Sequence, residues 1–158
     1  MTVFDFFAGE ELVRPTVTTL EAERIAIELF GIAGSAIELG SHQDRNFRID
    51  VTSESSVTSY LLKVDNSAFS QAELLAQDGA MAHLSARGLR VPVPVVGVDG
   101  KTRQQWKSHN DTLNVRMLSF VEGTSLASEA TFSPATVSAL GTLSGQVARE
   151  LADFDSAG

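Results

Sequence analysis

The sequence predicts an α+β domain, an antiparallel sheet of about five strands with helices packed on one side of it. Three observations carry that expectation. Residues Asn46 to Thr52 alternate apolar and polar with a period of two, helical stripes with capping signals flank the strand-like stretches, and Asp99-Gly100 is a strong hairpin signal.

The elements follow in order. A helix is expected from Leu20 to Phe30: Thr18 and Glu21 have capping-box spacing, Gly31 supplies the stop, and Ala22, Ile25, Ala26 and Leu29 form its apolar face. Ala36 to Leu39 is a short apolar strand, and Gly40 to Arg45 is a polar loop. In the next strand Phe47, Ile49 and Val51 share one face while Asn46, Arg48 and Asp50 share the other. Ser53 to Ser56 makes a turn into a third strand, Val57 to Val64, rich in β-formers. Short connections make these three an antiparallel meander.

A second helix is expected from Gln71 to Ala86, with Ser70 as cap, Gly88 as stop, and Leu74, Leu75, Met81 and Leu84 on its buried face. Val91-Pro92-Val93-Pro94 leads into a fourth strand, Val95 to Val98, and another strand runs from Leu113 to Val121 before Glu122-Gly123 interrupts it. The last helix opens with Ser133 as cap and Pro134 at its first position, and Val137, Leu140, Val147 and Leu151 form its stripe. The N-terminal residues, with Phe4, Phe6 and Phe7, read as an arm that packs on something.

Composition narrows the function. The 158 residues suit one domain, and 12 Lys+Arg against 20 Asp+Glu give a net charge of −8. That balance argues against a nucleic-acid groove, which needs a basic stripe, but a single lysine and backbone amides can still hold a phosphate. The absence of cysteine excludes a disulfide framework, a thiolate zinc site and a cysteine nucleophile. The longest apolar run, Val91 to Val98, is far short of the about 20 residues that span a bilayer, and no positive charge precedes Arg14, so a soluble cytoplasmic protein is expected.

The stretch from Leu39 to Lys63 carries the chemistry. Lys63 stands among Leu61, Leu62 and Val64, and a buried ammonium requires an anionic partner, for which a nucleotide phosphate qualifies. A sheet-edge lysine that snorkels to solvent is the other reading. Gly40 lets a backbone approach a phosphate and Ser41 offers a hydroxyl, although a plain hairpin turn has the same residues; no Gly-Lys-Ser/Thr run exists. His42, His83 and His109 lack metal-ligand spacing, and no nucleophile elbow supports a Ser/His/Asp triad. Trp106 and the phenylalanines suit core or lobe contacts better than base stacking.

Read together, "ELGSHQDRNFRID", "SYLLKVDN", "AQDGAMAHLSARGLRVPVPVV" and "VRMLSFVEGTSL" resemble the N-terminal lobe of the aminoglycoside phosphotransferase and choline kinase family. The flavour is that of the hydroxylysine kinase-like branch, which includes phosphotransferase-like domains fused ahead of class-III aminotransferases. The resemblance runs from about Thr18 to Gly158. It implies a protein kinase-like N-lobe over residues 1–123, with 1–17 as the arm, and an incomplete helical C-lobe beginning over 124–158. It also implies an ATP-binding lobe of a phosphotransferase that moves the ATP γ-phosphate to a small-molecule hydroxyl, with Mg2+ as co-ligand in a complete chain. Gly40, Ser41 and Asp44 fall in the loop over the phosphates, Lys63 matches the strand lysine on the α and β phosphates, and Ser119, Phe120 and Val121 match the hinge that pairs with adenine.

Two departures stand out. The family's helix glutamate, partner of the strand lysine, aligns with Gln77, which cannot neutralise an ammonium; Glu73 lies one turn earlier but has capping-box spacing with Ser70. Either Glu73 or Gln77 is expected within hydrogen-bond reach of Lys63. The family's His-x-Asp catalytic loop, with Asn five residues past the Asp, is missing: His42-Gln43-Asp44 meets Ile49, His109-Asn110-Asp111 meets Arg116, and Asp153-Phe154-Asp155 stands where the C-lobe begins. No catalytic and no metal-binding residue is therefore expected in this chain. The alternative is a degenerate kinase-like regulatory or binding domain fused to another enzyme such as a class-III aminotransferase, with pyridoxal phosphate bound only by that downstream enzyme. A homodimer through the exposed lobe interface is a third option, with neither nucleic acid nor membrane as partner.

Overall fold

The computed structural model describes residues 13–108, 111–126, 129 and 131–155. The Phe-rich arm and His109-Asn110 lie outside them. The elements are α1 (Thr19–Phe30), β1 (Ser35–Leu39), β2 (Arg45–Thr52), β3 (Val57–Val64), α2 (Gln71–Ala86), β4 (Arg103–Lys107), β5 (Thr112–Ser119) and α3 (Pro134–Glu150). The strands form one antiparallel sheet in the order β1-β2-β3-β5-β4.

Local signals place the helices. The Thr18 hydroxyl accepts the Glu21 N–H and Glu21 accepts the Thr18 N–H in return, while Gly31 closes α1 in the left-handed region at φ 68°. Ser70 and Glu73 repeat the capping box on α2, and the Ser133 hydroxyl accepts the Thr136 N–H ahead of Pro134 on α3.

Period-two alternation gives the sheet two unlike faces. Phe47 and Ile49 of β2, Leu62 and Val64 of β3, Val115 and Met117 of β5 and Trp106 of β4 bury against Val17, Ala22, Ile25, Ala26 and Phe30. The intervening residues, Asn46, Lys63, Arg116 and Arg103, form a row across four strands on the opposite face. That face meets α2, whose Gln77 and Asp78 bond to Arg116. The helices therefore cover both sides of the sheet, not one, because the alternation leaves on the second face charges that only a polar helix surface satisfies.

Two further expectations are corrected. Val95 to Val98 is not a strand. Pro92 and Pro94 have no N–H to give a ladder, so the segment makes a single bridge to β5, Pro94 to Leu118, with hydrogen bonds from the Val95 N–H to the Met117 carbonyl and from the Ser119 N–H to the Val93 carbonyl. The segment then turns under α1, where the Val98 N–H donates to the Leu29 carbonyl and a Cβ on Gly97 would lie 2.7 Å from that same oxygen. The turn at Asp99-Gly100 leads instead to β4, whose polar sequence Arg-Gln-Gln-Trp-Lys suits an edge strand. On α2, Leu74 and Leu84 are buried but Leu75 is exposed. The apolar stripe of α3 is uncovered, with Val137, Leu140 and Leu143 open, as an exposed lobe interface implies.

Core and open stripe should answer differently to truncation. Leu62→Ala is expected to cost about 2–5 kcal/mol, and Leu143→Ala under about 0.5 kcal/mol, in urea denaturation. Equal losses would show that α3 is packed in solution.

Candidate functional site

Lys63 sits in β3, opposite Asn46 of β2 on one side and Arg116 of β5 on the other. Its ammonium is ion-paired with the Asp44 carboxylate at the end of the turn between β1 and β2. The Ser41 hydroxyl shapes that turn by accepting the Asp44 N–H at 3.2 Å, and Gly40 has open space where a Cβ would stand. The Asn46 side-chain oxygen is buried beside Lys63 without a hydrogen-bond partner among the described residues.

Next along the row the charges interlock. Arg116, 2% exposed, pairs with Asp78, donates to the Gln77 side-chain oxygen at 2.7 Å and lies 3.4 Å from Asp65. Arg103 bridges Asp65 at 3.1 Å and Asp78 at 2.6 Å, and donates to the Leu74 carbonyl. Three cations (Lys63, Arg103, Arg116) thus face three carboxylates (Asp44, Asp65, Asp78). Burial pushes the Asp65 carboxyl above its ordinary value, while Arg116, Arg103 and Lys63 pull against it.

The structure brings Gly40, Ser41, Asp44 and Lys63 together at one end of a strip on this face. Phe120 lies at the other, with the Arg48 guanidinium 5.9 Å from its ring centre and Val121 exposed beside it. Leu61 and Leu118, paired across β3 and β5, line the strip between them. Ser119 is already engaged: its N–H donates to the Val93 carbonyl at 2.8 Å and its hydroxyl accepts the Val93 N–H at 2.9 Å. Arg90 donates to the Glu122 carbonyl just past it.

Neither helix residue expected at Lys63 is bonded to it. Glu73 accepts the Ser70 N–H and hydroxyl, both at 2.8 Å, and these hydrogen bonds hold its carboxyl below the ordinary value. Gln77 serves Arg116 instead. Sequence reasoning missed Arg116, Arg103, Asp65 and Asp78. Their signal was a pair of strand arginines matched in number by carboxylates at Asp65 and on the helix, at Asp78, a balance legible only once the register is known.

An antiparallel five-stranded sheet carrying a lysine on β3, next to the β1–β2 turn and facing a helix inserted between β3 and the later strands, defines a kinase-like amino-terminal lobe. No helix among the described residues is long and apolar enough to cross a membrane. The chain belongs to the phosphotransferase enzyme family, whose model matches residues 34–158. Its fold is similar to that of amicoumacin kinase hAmiN, solved with AMP-PNP and Ca2+ (TM-score 0.72, 19% identity, covering 88% of this chain and 41% of that one). It is also similar to a microcompartment-associated aminopropanol kinase (TM-score 0.68, 15% identity, 88% and 42%) and to spectinomycin phosphotransferase APH(9)-Ia, solved with ADP and spectinomycin (TM-score 0.59, 16% identity, 86% and 39%). The chain spans about two fifths of the length of these structures. No curated relative matches it.

Two measurements probe the charge row. Arg116→Met leaves Asp65 and Asp78 to share the single guanidinium of Arg103 and is expected to cost about 3–5 kcal/mol in urea denaturation; a cost near zero would mean that water reaches the cluster. For Glu73, whose folded pKa is lowered, the stabilisation exists above the unfolded value of 4.5 and is lost as pH falls through the folded one. The stability difference between wild type and Glu73→Gln should therefore shrink as pH falls from 7 towards 3, and a constant difference would refute the cap as its source.

Proposed function

We propose that this chain is the nucleotide-binding lobe of a small-molecule phosphotransferase of the hydroxylysine kinase-like branch, acting with ATP in the cytoplasm as part of a longer protein. The observation that carries this reading is the Lys63 ammonium, held on the polar face beside the β1–β2 turn, with one of its three donors on Asp44. Lys63 would contact the α and β phosphates, residues 40–46 (the turn and the first residues of β2) would cover them, and backbone groups of Phe120 and Val121 would pair with adenine. Ser119 would act in the hinge by holding Val93, since its own amide and hydroxyl are engaged there.

The residues fit a nucleotide better than they fit its metal. Among the described residues no group of three His, Asp or Glu side chains could hold an ion. Magnesium would take its protein ligands from a second lobe, of which residues 124–158 are the start, and would neutralise phosphate charge there. In the reaction the acceptor hydroxyl oxygen bonds to the γ-phosphorus as the bond to the bridging oxygen breaks. The hydroxyl proton would pass to a base in the second lobe, where the resemblance places the catalytic Asp. Lys63 and the turn position the phosphates.

One observation favours the second reading, a degenerate domain serving a fused enzyme such as a class-III aminotransferase: the residue aligned with the helix carboxylate is neutral Gln77, and it is bonded to Arg116. The sequence after Gly158 in the parent gene separates the two. A His-x-Asp loop with Asn five residues past the Asp supports the kinase; an aminotransferase without that loop supports the module.

The binding reading has a direct test. MgATP added to the 15N-labelled chain should shift amide signals of the 40–46 turn and of 120–121. Lys63→Met should weaken that binding about tenfold, the loss of one charge-assisted contact, and neither protein should transfer phosphate. Shifts confined to other surfaces, or unchanged affinity in the variant, would sink the assignment.

A further inference from the structure

A lysine carries its charge on a flexible four-carbon stem, so the ammonium either snorkels to water or is fixed by a counter-ion. Lys63 is fixed, and the group that fixes it does not belong to α2. Gln77 and Asp78 are both committed to Arg116, with Arg103 also on Asp78, and Glu73 is committed to its cap. The carboxylate on Lys63 is that of Asp44, and Asp44 is itself immobilised. Its second oxygen accepts the Asn66 N–H at 2.9 Å. Asn66 is buried and pinned in turn: its side-chain amide donates to the Gln43 carbonyl at 2.9 Å and the Val13 carbonyl at 3.0 Å, and its oxygen accepts the Ala68 N–H at 2.9 Å. The Asp44 backbone is held as well, its N–H by Ser41 and its carbonyl by Arg14 at 3.3 Å.

We infer that Asp44 is the positioning residue of Lys63, a fixed counter-ion built into the β1–β2 turn that aims the ammonium along the polar face in place of a carboxylate on α2. This deepens the proposed nucleotide site and rests on it only for what the ammonium is aimed at. A carboxylate tied to a buried backbone amide cannot swing away when a phosphate arrives, so Asp44 orients Lys63 rather than competing for it. Two donors of the ammonium remain, and Asn46, whose buried side-chain oxygen has no partner among the described residues, is the cross-strand neighbour of Lys63 on β2. Substitutions on α2 should then reach Lys63 only indirectly, through Arg116.

Asp44→Asn separates charge from shape, because the amide oxygen still accepts the Asn66 N–H. In the isotope-labelled full chain at low temperature, a held lysine ammonium gives its own 1H–15N signal, whereas a solvated one is lost to exchange. The signal of Lys63, assigned by its absence in Lys63→Met, is expected in wild type, in Gln77→Ala and in Asp44→Glu, and is expected to vanish in Asp44→Asn. In MgATP titrations Asp44→Asn should weaken binding several-fold, and Lys63→Met should cost less in that background than in wild type. A Lys63 signal that survives Asp44→Asn, or one that disappears in Gln77→Ala, overturns the inference, as does tighter MgATP binding by Asp44→Asn, which would make Asp44 a competitor. Should Asp44→Asn fail to fold, the Gln77→Ala signal decides alone. Should MgATP leave the wild-type spectrum unchanged, the nucleotide reading fails while the ammonium signals still judge the role of Asp44.

Discussion

Alternation along β2, β3 and β5 forces a division that the rest of the lobe obeys. Once Phe47, Ile49, Leu62, Val64, Val115 and Met117 are committed to α1, the residues between them have no choice of side. Asn46, Lys63, Arg116 and Arg103 must then share the opposite face. A one-residue slip would drive those cations under α1, so the register that builds the dry core is also what assembles the polar face.

Three cations in a partly buried row are tolerable only with three anions, and these come from three places: the β1–β2 turn, the end of β3, and α2. Such pairs lose most of their Coulomb attraction to desolvation, so they add little to stability compared with an apolar replacement. What they supply is direction. Only Leu74 and Leu84 of α2 are buried, and the seat of the helix on the sheet is set by Arg103 and Arg116 reaching Leu74, Gln77 and Asp78.

Local chemistry was the legible part. Both capping boxes, the Gly31 stop, the Ser133 cap and the limits of β3 could be read from the sequence, because each depends on residues within a few positions of one another. β4 was illegible because an edge strand needs no apolar alternation, and Val95 to Val98 misled because β-formers cannot make a ladder behind two prolines. At the site, the clustering of Gly40, Ser41, Asp44 and Lys63 could be anticipated from the resemblance. The partners could not: a carboxylate at Asp44 and one at Glu73 look equally available until hydrogen bonds to Asn66 and Ser70 assign them.

The far end of α2 has a consequence of its own. There His83 meets the Glu150 carbonyl at 2.8 Å, Arg87 reaches Glu150 and Asp153, and Phe154 packs where a Cβ on Gly79 would stand 3.2 Å from its ring. With arginine joints at the sheet and a histidine–arginine joint at α3, α2 is a strut hinged by directional contacts at both ends. Apolar seams let helices slide, whereas hydrogen-bonded joints hold angles. The same helix thus touches the end of α3 through His83 and Arg87 and the sheet through Gln77 and Asp78 on Arg116, one strand away from Lys63.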